Sequence, residues 1–259
     1  MTEQIEIPSD FPSGGDVTGK RVVITGAGRG LGRLLAHAFS RGGARVALVA
    51  RTEKDLKEVA DELSGPALVC SGDVTEEGFN EAVADAAAAE WGGVDVWICN
   101  AGISPIVAGP RHTDPAVWRA VLEVNLTGAF LGARAAARVM REGGRVIFTG
   151  SVLGERPREG LAAYSASKAG LVGLAKGLAL DLAPQGITVN VVAPGWFDSP
   201  LAEGWKSNPR LAAGVLDHTP QRRWGRATDL AGAYQFLASD AASFVTGTVL
   251  HVDGGYLLA

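Results

Sequence analysis

Residues 21–32 read Arg-Val-Val-Ile-Thr-Gly-Ala-Gly-Arg-Gly-Leu-Gly, a short β-branched apolar run followed at once by a glycine-rich turn. A stretch with helical spacing of its apolar residues comes next. This order is typical of dinucleotide-binding units, because glycine permits a tight turn and a close backbone approach to a pyrophosphate, and the helix N-terminus offers unpaired N–H groups. Ordinary tight turns can look the same, so the rest of the chain decides between the two interpretations.

Short apolar runs recur along the chain and alternate with longer stretches of helical spacing. The apolar runs lie at 21–25, 44–50, 66–70, 94–99, 144–150, 187–193 and 248–252, and the helical stretches at about 30–42, 53–64, 76–91, 114–141, 162–183 and 227–238. Strands that are apolar throughout indicate a parallel sheet covered on both faces. We therefore predict an α/β fold: a single domain with a doubly wound, seven-stranded parallel sheet (a Rossmann fold) and helices on both faces.

Two segments lie outside this alternation. Residues 1–18 are rich in Ser, Gly, Pro and Asp and are predicted to be a flexible lead-in to a domain formed by residues 19–259. Residues 195–226 contain glycine, proline and three tryptophans without a clear period. Because long irregular segments in compact domains are often lids or binding loops, we predict that 195–226 covers the substrate.

The composition limits the classes of partner. The chain has 259 residues, 47% hydrophobic and 20% charged, with a net charge of -4. The basic residues form no stripe or cluster, which argues against nucleic acid and against a polybasic membrane anchor. No signal-peptide core or run of membrane-spanning length is visible, so we expect a cytoplasmic protein. The four histidines and two cysteines lack metal-binding spacing, and no metal site is predicted.

Further motifs occur in a fixed order along the chain. They are Thr25-Gly26, Gly30 and Gly32 in the first turn, Asp73-Val74, Asn100-Ala101-Gly102, Asn125, Ser151, Tyr164 with Lys168, Pro194-Gly195, and Val252-Asp253-Gly254-Gly255. In order and spacing they resemble the motifs of the short-chain dehydrogenase/reductases. The resemblance extends from Lys20 to Tyr256. Cys99 stands where relatives often have asparagine. Ser199 stands where many relatives have a threonine that hydrogen-bonds the nicotinamide amide, and a serine hydroxyl can make the same hydrogen bond.

The resemblance implies a nicotinamide cofactor, and the end of the second strand indicates which one. NAD-binding proteins usually place a carboxylate there, but this strand ends Ala50-Arg51-Thr52. Arg51 can pair with a 2′-phosphate through its planar guanidinium, and Arg29 can reach the same group, although either can also be a solvated surface charge. Together they favour NADP(H) over NAD(H). The expected cofactor-binding residues are Thr25, Gly26, Gly28, Arg29, Gly30, Leu31, Gly32, Arg51, Thr52, Asp73, Val74, Asn100, Ala101, Gly102, Tyr164, Lys168, Pro194, Gly195, Phe197 and Ser199.

Four residues are the candidates for the chemistry. Tyr164 and Lys168 are four apart in a helical stretch and therefore share a face. A neighbouring ammonium is expected to lower the pKa of the phenol from about 10, so that Tyr164 can act as acid or base. Ser151 can hold the substrate oxygen beside it. Taken singly, the pair can be a surface contact and Ser151 a turn residue.

The resemblance adds two roles that the pattern alone does not supply. It implies that Lys168 also binds the ribose hydroxyls of the cofactor. It further implies that Asn125, which lies in the middle of a helical stretch, disrupts that helix and holds a water in a proton relay from Lys168. Without the resemblance, Asn125 can be a tolerated surface residue.

The sequence is less informative about the substrate. Ser151, Leu153, Tyr164, Trp196 and Trp205 are predicted to contact it, although the tryptophans can also pack in the core. Arg222, Arg223 and Arg226 can meet an anionic group, but solvent exposure is favoured. Within the family, the stretches 194–197, 222–225 and 236–247 resemble gluconate 5-dehydrogenases, and the last is shared with 3-oxoacyl-acyl-carrier-protein reductases.

These observations predict reversible hydride transfer between NADP(H) and a secondary alcohol or ketone, with a polyol, a sugar acid or a small ketone as substrate. The alternative enzyme is a 3-oxoacyl thioester reductase. A non-catalytic regulator that senses NAD(P) is the alternative of another class, and such proteins tend to lose the Tyr–Lys pair that this chain keeps.

The resemblance also implies self-association, as a homotetramer or a homodimer. The helices at 114–141 and 162–183 would pair with their symmetry mates, the second through its small residues. Another contact would use 227–238 and a C-terminal strand that ends at 256–259. The alternative is that the tail folds back onto its own subunit and that the small residues pack against the subunit's own sheet.

Overall fold

The computed structural model describes residues 15–105, 107–199 and 201–259. Its strands are β1 (Arg21–Thr25), β2 (Arg45–Ala50), β3 (Ala67–Ser71), β4 (Val94–Cys99), β5 (Met140–Thr149), β6 (Thr188–Pro194) and β7 (Val249–Val252). They form one sheet in the order β3-β2-β1-β4-β5-β6-β7, and every neighbouring pair is parallel. This confirms the predicted seven-stranded, doubly wound sheet.

Helices cover both faces of the sheet. They are α1 (Gly30–Arg41), α2 (Glu53–Glu62), α3 (Glu77–Trp91), α4 (Pro115–Leu122), α5 (Gly128–Val139), α6 (Ala162–Leu182), α7 (Glu203–Lys206), α8 (Pro209–Asp217) and α9 (Ala227–Ala238). Alternate residues of β1 belong to different cores: Val22 and Ile24 pack with α1, α2 and α9, and Val23 packs with α3, α5 and α6. Burial on both faces explains why each strand is apolar throughout.

The predicted helix at 114–141 is interrupted. Between α4 and α5 the chain forms a π-helical turn at Glu123–Thr127. Asn125 lies within it, where the resemblance implied a disruption. The predicted covering segment 195–226 is also not wholly irregular, since it contains the short helices α7 and α8.

The structure corrects part of the predictions for the lead-in and for the C-terminal residues. Residues 1–14 of the predicted lead-in lie outside the described residues. Of its last residues, Val17 is buried in the core beside α1. At the other end, Tyr256–Leu258 is a 3₁₀ turn, not the end of a strand, and Tyr256 is buried against its own subunit. For Tyr256 the fold-back alternative is therefore correct, whereas Leu258 is exposed.

The sheet order determines where a ligand can bind. After β3 at one edge, the chain returns to place β4 on the other side of β1. In doubly wound sheets, ligands bind at this reversal, outside the carboxyl ends of the strands. The glycine turn follows β1 and Asn100 follows β4, so both predicted motifs lie at this position. No helix in the described part of the chain is both long and apolar enough to cross a membrane.

Candidate active site

A cleft of about 1300 Å³ opens at the carboxyl ends of the strands. It is lined by all the predicted cofactor and substrate residues except Thr25, and by three of the four candidates for the chemistry, Ser151, Tyr164 and Lys168. Thr25 and Asn125 are buried behind its wall. Among the described residues no group of three His, Cys, Asp or Glu side chains is placed to hold a metal ion.

The glycine turn leaves a cradle that larger residues would fill. Gly26 and Gly30 have φ values of 69° and 56°, in the left-handed region that favours glycine. A Cβ on Gly32 would lie 2.1 Å from the Gly26 carbonyl oxygen. Because Gly30 begins α1, the N-terminal N–H groups of that helix lie at the cleft. The turn therefore fits a pyrophosphate-bearing cofactor.

Thr25 and Asn100 connect this turn to the next strand. The Thr25 hydroxyl donates to the Ile98 carbonyl and accepts from the N–H groups of Asn100 and Ala101, at 2.9 and 3.1 Å. The Asn100 side chain donates to the Thr25 carbonyl at 3.0 Å. Thr25 therefore fixes the ends of β1 and β4 relative to each other, and it does not itself line the cleft.

Both predicted arginines are exposed at the cofactor end of the cleft, but a carboxylate is there as well. Arg29 is the N-cap residue of α1, and Arg51 directly follows β2. Asp55, in the first turn of α2, lines the same cleft, and a Cβ built on Gly28 would lie 3.8 Å from its Oδ2. Asp55 was not predicted, because it lies in α2 and not at the tip of β2, where NAD-binding proteins usually place a carboxylate.

Tyr164 and Ser151 meet at the centre of the cleft. Ser151 precedes a 3₁₀ turn, where its hydroxyl accepts a hydrogen bond from the Leu153 N–H at 3.1 Å. Burial raises the pKa of Tyr164 above its usual value because it disfavours the phenolate, and a hydrogen bond with Ser151 partly opposes this shift. The expectation of a lowered tyrosine pKa is therefore wrong. At neutral pH the hydroxyl is protonated and can donate.

Lys168 is buried beside that tyrosine. Its Nζ donates to the Thr149 carbonyl at 2.7 Å and lies 5.6 Å from the centre of the Tyr164 ring. The ammonium thus faces the ring and bonds to the backbone, which explains why it does not lower the phenol's pKa here. Burial itself lowers the pKa of Lys168 to about 8.

The Asn125 side chain fixes a neighbouring loop and α6. Its Oδ1 accepts from the Ile103 N–H at 2.7 Å, and its Nδ2 donates to the Ile103 carbonyl and to Ser167 Oγ, both at 3.0 Å. Ser167 in turn donates to the Tyr164 carbonyl at 2.7 Å. Asn125 therefore connects the loop after β4 to the segment that carries Tyr164. The implied water relay stays a prediction.

The other end of the cleft is aromatic. Trp196 packs against Trp205, with ring centres 5.0 Å apart, and against Trp224 and Tyr256 at 6.0 and 6.3 Å. Trp196 and Trp205 line the cleft, whereas Trp224 packs behind them. Their contact with the substrate stays a prediction.

Several lining residues were not predicted, and one of them is charged. Arg158, between Ser151 and Tyr164, faces the tryptophans and belongs to no motif, so the sequence carried no signal for it. The three arginines that the sequence offered for an anionic substrate group do not line this cleft. Arg222 pairs with Asp217, Arg223 pairs with Asp229, and Arg226 is exposed.

Comparisons with known proteins agree with this geometry. A family model described as enoyl-(acyl carrier protein) reductase matches residues 26–257. The 3-oxoacyl-[acyl-carrier-protein] reductase of Salmonella typhimurium is 40% identical over 239 residues, which cover 92% of this chain and 97% of that protein. The cis-4-hydroxycyclohexanecarboxylate dehydrogenase of Sinomonas cyclohexanicum is 40% identical over 247 residues, which cover 93% and 98%.

A solved structure is similar over nearly its whole length. It comes from Beutenbergia cavernae, is provisionally named an NAD(P)-dependent gluconate 5-dehydrogenase, and contains NADP at low occupancy. The TM-score is 0.88 at 37% identity, with 95% of this chain and 100% of that chain covered. The names of these relatives describe enzymes that act on alcohol or carbonyl groups. In this chain Tyr164, Lys168 and Ser151 line one cleft. The chain belongs to the short-chain dehydrogenase/reductase family and is an oxidoreductase acting on CH–OH groups.

Proposed function

We propose that the protein transfers hydride reversibly between NADP(H) and a secondary alcohol or ketone, with Tyr164 as the proton donor and acceptor. The observation that carries this proposal is that Tyr164, Ser151 and Lys168 lie in the same cleft as the glycine turn. One end of the cleft can thus hold a dinucleotide while a carbonyl compound reaches the tyrosine at the centre.

In the reducing direction, Ser151 would bind the carbonyl oxygen and hold it beside the Tyr164 hydroxyl. The bound nicotinamide supplies the hydride that reaches the carbonyl carbon. Tyr164 gives its proton to the oxygen, which produces the alcohol; oxidation reverses both transfers. Because its pKa is raised by burial, the Tyr164 hydroxyl carries this proton at neutral pH. Lys168 would place positive charge beside the ring and bind the ribose.

Two cationic side chains support a preference for NADP(H). Arg29 and Arg51 are both exposed at the cofactor end of the cleft, where a guanidinium can pair with a 2′-phosphate. Asp55 opposes this preference, because its negative charge lies in the same region. We propose that the two positive charges outweigh the single negative one.

For the substrate we propose a polyol, a sugar acid or a small ketone. Two relatives are named for hydroxy acids, one for gluconate and one for cis-4-hydroxycyclohexanecarboxylate. Reduction of a 3-oxoacyl thioester is the second candidate, supported by the relative from Salmonella typhimurium.

Self-association and location belong to the same proposal. Leu180 and Phe244 are 79% and 100% exposed, and the glycines at 173 and 177 of α6 have no atom within 4 Å of a built Cβ. Such an apolar, small-residue surface is suited to contact between copies of this chain, and we propose a homotetramer. A cytoplasmic location stays a prediction from the sequence.

A panel of ketones would test the function. Purified protein would be mixed with NADPH or NADH and with 5-ketogluconate, 4-oxocyclohexanecarboxylate, cyclohexanone or an acetoacetyl thioester, and absorbance at the nicotinamide band would be followed. We expect NADPH oxidation with at least one ketone, little with NADH, and none above background with Tyr164→Phe. Faster turnover of the thioester than of every other compound would select the second candidate. A folded protein that binds NADPH but turns over nothing in either direction would contradict the proposed function.

A further inference from the structure

Arg158 is held rigidly on the substrate side of the cleft. Its guanidinium carbon lies 5.6 Å from the centre of the Trp196 ring and 5.5 Å from that of Trp205. Its Nε donates to the Tyr256 hydroxyl at 3.0 Å, and its Nη2 donates to the Gly214 carbonyl at 3.3 Å. It also lies 6.0 Å from the centre of the Tyr256 ring, so two hydrogen bonds and three aromatic rings hold the side chain.

This guanidinium has no anionic partner in the described part of the chain. Arg21, Arg33 and Arg134 all pair with carboxylates, but no ion pair is found for Arg158, and its Nη1 has no hydrogen-bond acceptor among the described residues. Holding a half-buried charge without a counter-ion is unfavourable. A cation kept in this state inside a ligand cleft is suited to an anion that arrives with the ligand.

The surroundings limit the kind of anion. Trp196, Trp205, Leu153 and Leu161 line the same part of the cleft and offer apolar surface to a carbon skeleton. Glu159, an exposed carboxylate on the same wall, disfavours a ligand with several negative charges. A planar guanidinium matches one planar carboxylate well.

We propose that Arg158 binds a carboxylate of the substrate, so that the substrate is a secondary alcohol or ketone that also carries a carboxylate. This inference rests on the proposed function, whose substrate class it narrows to acids. The aromatic pair would pack against the carbon skeleton between the carboxylate and the reacting carbon.

A purely structural role for Arg158 makes a different prediction. If it only ties Tyr256 to α8, its loss should reduce stability and should affect charged and neutral substrates alike. The test therefore compares each keto acid with its methyl ester, which keeps the skeleton and removes the charge. The pairs are 4-oxocyclohexanecarboxylate and 5-ketogluconate with their esters.

In the wild type we expect kcat/KM for the acid to exceed that for the ester by about tenfold or more, since a charged hydrogen bond contributes that much. Arg158→Gln should bring this ratio close to one, and Arg158→Lys, which keeps the charge but loses the planar fork, should retain part of it. Arg210→Gln is the matched control, because Arg210 is exposed and does not line the cleft, and it should keep the wild-type ratio. Thermal unfolding and NADPH titration would show that each variant is folded.

A binding measurement decides the matter without turnover. Cyclohexanecarboxylate and cyclohexanecarboxamide would be titrated into the NADP⁺-saturated wild type while tryptophan fluorescence is followed. We expect at least tenfold tighter binding of the carboxylate, and loss of this difference in Arg158→Gln. No preference for the carboxylate, or equal effects of Arg158→Gln on acid and ester, would overturn the inference. Turnover of neutral ketones without an acid preference would refute the carboxylate site alone, whereas carboxylate binding without any turnover would refute only the proposed reaction.

Discussion

Lys168 donates its hydrogen bond to the carbonyl oxygen of Thr149, 2.7 Å away, and not to the hydroxyl of Tyr164. The Thr149 hydroxyl forms a 2.7 Å hydrogen bond with the hydroxyl of the buried Tyr234. It also donates to the side-chain oxygen of Asn100 at 3.3 Å. The end of β5 thus holds the buried ammonium in place and connects it to the residue that follows β4. The sheet therefore positions Lys168 through the last residue of β5.

The first prediction concerns Tyr164. Tyr164→Phe should lower kcat by about a hundredfold or more, because the proton donor is lost, while NADPH affinity stays nearly unchanged. The matched control is Tyr234→Phe, which also removes a buried hydroxyl but lies outside the cleft. That control should lose about 1 kcal/mol of stability and keep most of its activity. Single-turnover kinetics with the best ketone would measure the rates of both variants, and thermal unfolding would measure the stability of the control. Comparable rates for Tyr164→Phe and the wild type would exclude the proposed role.

The second prediction concerns the charge of Lys168. Burial lowers the pKa of Lys168 from its ordinary value of 10.5 to about 8 in the folded protein. Between pH 8 and pH 10.5, the unfolded chain therefore binds more protons than the folded protein. Stability should therefore rise as pH increases from 8 to 10.5, and below pH 8 the buried ammonium costs on the order of 3 kcal/mol.

Lys168→Met should accordingly unfold at a higher temperature than the wild type at pH 7, in the absence of cofactor, and should have little activity. The difference in melting temperature should shrink by pH 10. Calorimetry at the two pH values would measure it. A variant that melts below the wild type at pH 7 would show that the Thr149 hydrogen bond outweighs the burial of charge.

The third prediction concerns cofactor choice. Removing both cations in Arg29→Ala, Arg51→Ala should weaken NADPH binding about tenfold or more and change NADH binding little, since only NADPH carries the 2′-phosphate. Asp55→Asn should have the opposite effect and tighten NADPH. Arg45→Ala, exposed at the far end of β2, is the control for loss of a positive charge. Fluorescence titration at constant ionic strength would test these changes, and equal affinity of the wild type for both cofactors would contradict the preference.

The fourth prediction concerns Asn125, as a positioning residue. Asn125→Ala leaves the Ile103 N–H and carbonyl without partners and should cost about 1–3 kcal/mol of stability. Asn190→Ala is a matched control, since Asn190 also donates to one backbone carbonyl (Val245) and accepts from one N–H (Thr248) inside the protein. Both variants should lose similar stability, but only Asn125→Ala should lower kcat at a temperature where both are folded. Equal kcat values for the two would reduce Asn125 to a stabilising role.

The fifth prediction concerns assembly. Leu180 on α6 is 79% exposed and would be buried between subunits, so Leu180→Asp should shift the tetramer toward smaller species. Ala89→Asp, on the exposed surface of α3, introduces the same charge elsewhere and should leave the assembly intact. Light scattering at micromolar concentration would report the mass of each. A wild-type protein that remains a monomer would refute the homotetramer.

The sequence predicted those features that depend on local pattern. The predicted ends of β1 and β4 match the structure, because both faces of each strand are buried and the apolar run ends where burial ends. The glycine turn was predictable because its backbone conformation excludes most other residues. β5 begins earlier than predicted, at Met140, because its first four residues are half-buried or exposed and form no apolar run.

The remaining features depend on contacts between distant parts of the chain. Arg158 is held by groups 56 and 98 residues away, and no local pattern indicates them. Asp55 belongs to a helix whose other charges are solvated, so only the approach of Gly28 distinguishes it. The pKa of Tyr164 was predicted in the wrong direction because helical spacing places Lys168 nearby without showing that its hydrogen bond goes to the sheet.

The π-helical turn at Glu123–Thr127 has a consequence for the tolerance of this segment to changes in length. A π turn is equivalent to one extra residue inside an α-helix. Deleting a single residue from 123–127 would let α4 and α5 join as one regular helix, at little cost in backbone hydrogen bonding. It would also rotate everything on one side of the deletion by about 100° relative to the other. Asn125 could then no longer reach Ile103 while α5 kept its packing, so we expect an in-frame loss of one codon here to be far more damaging than most point substitutions.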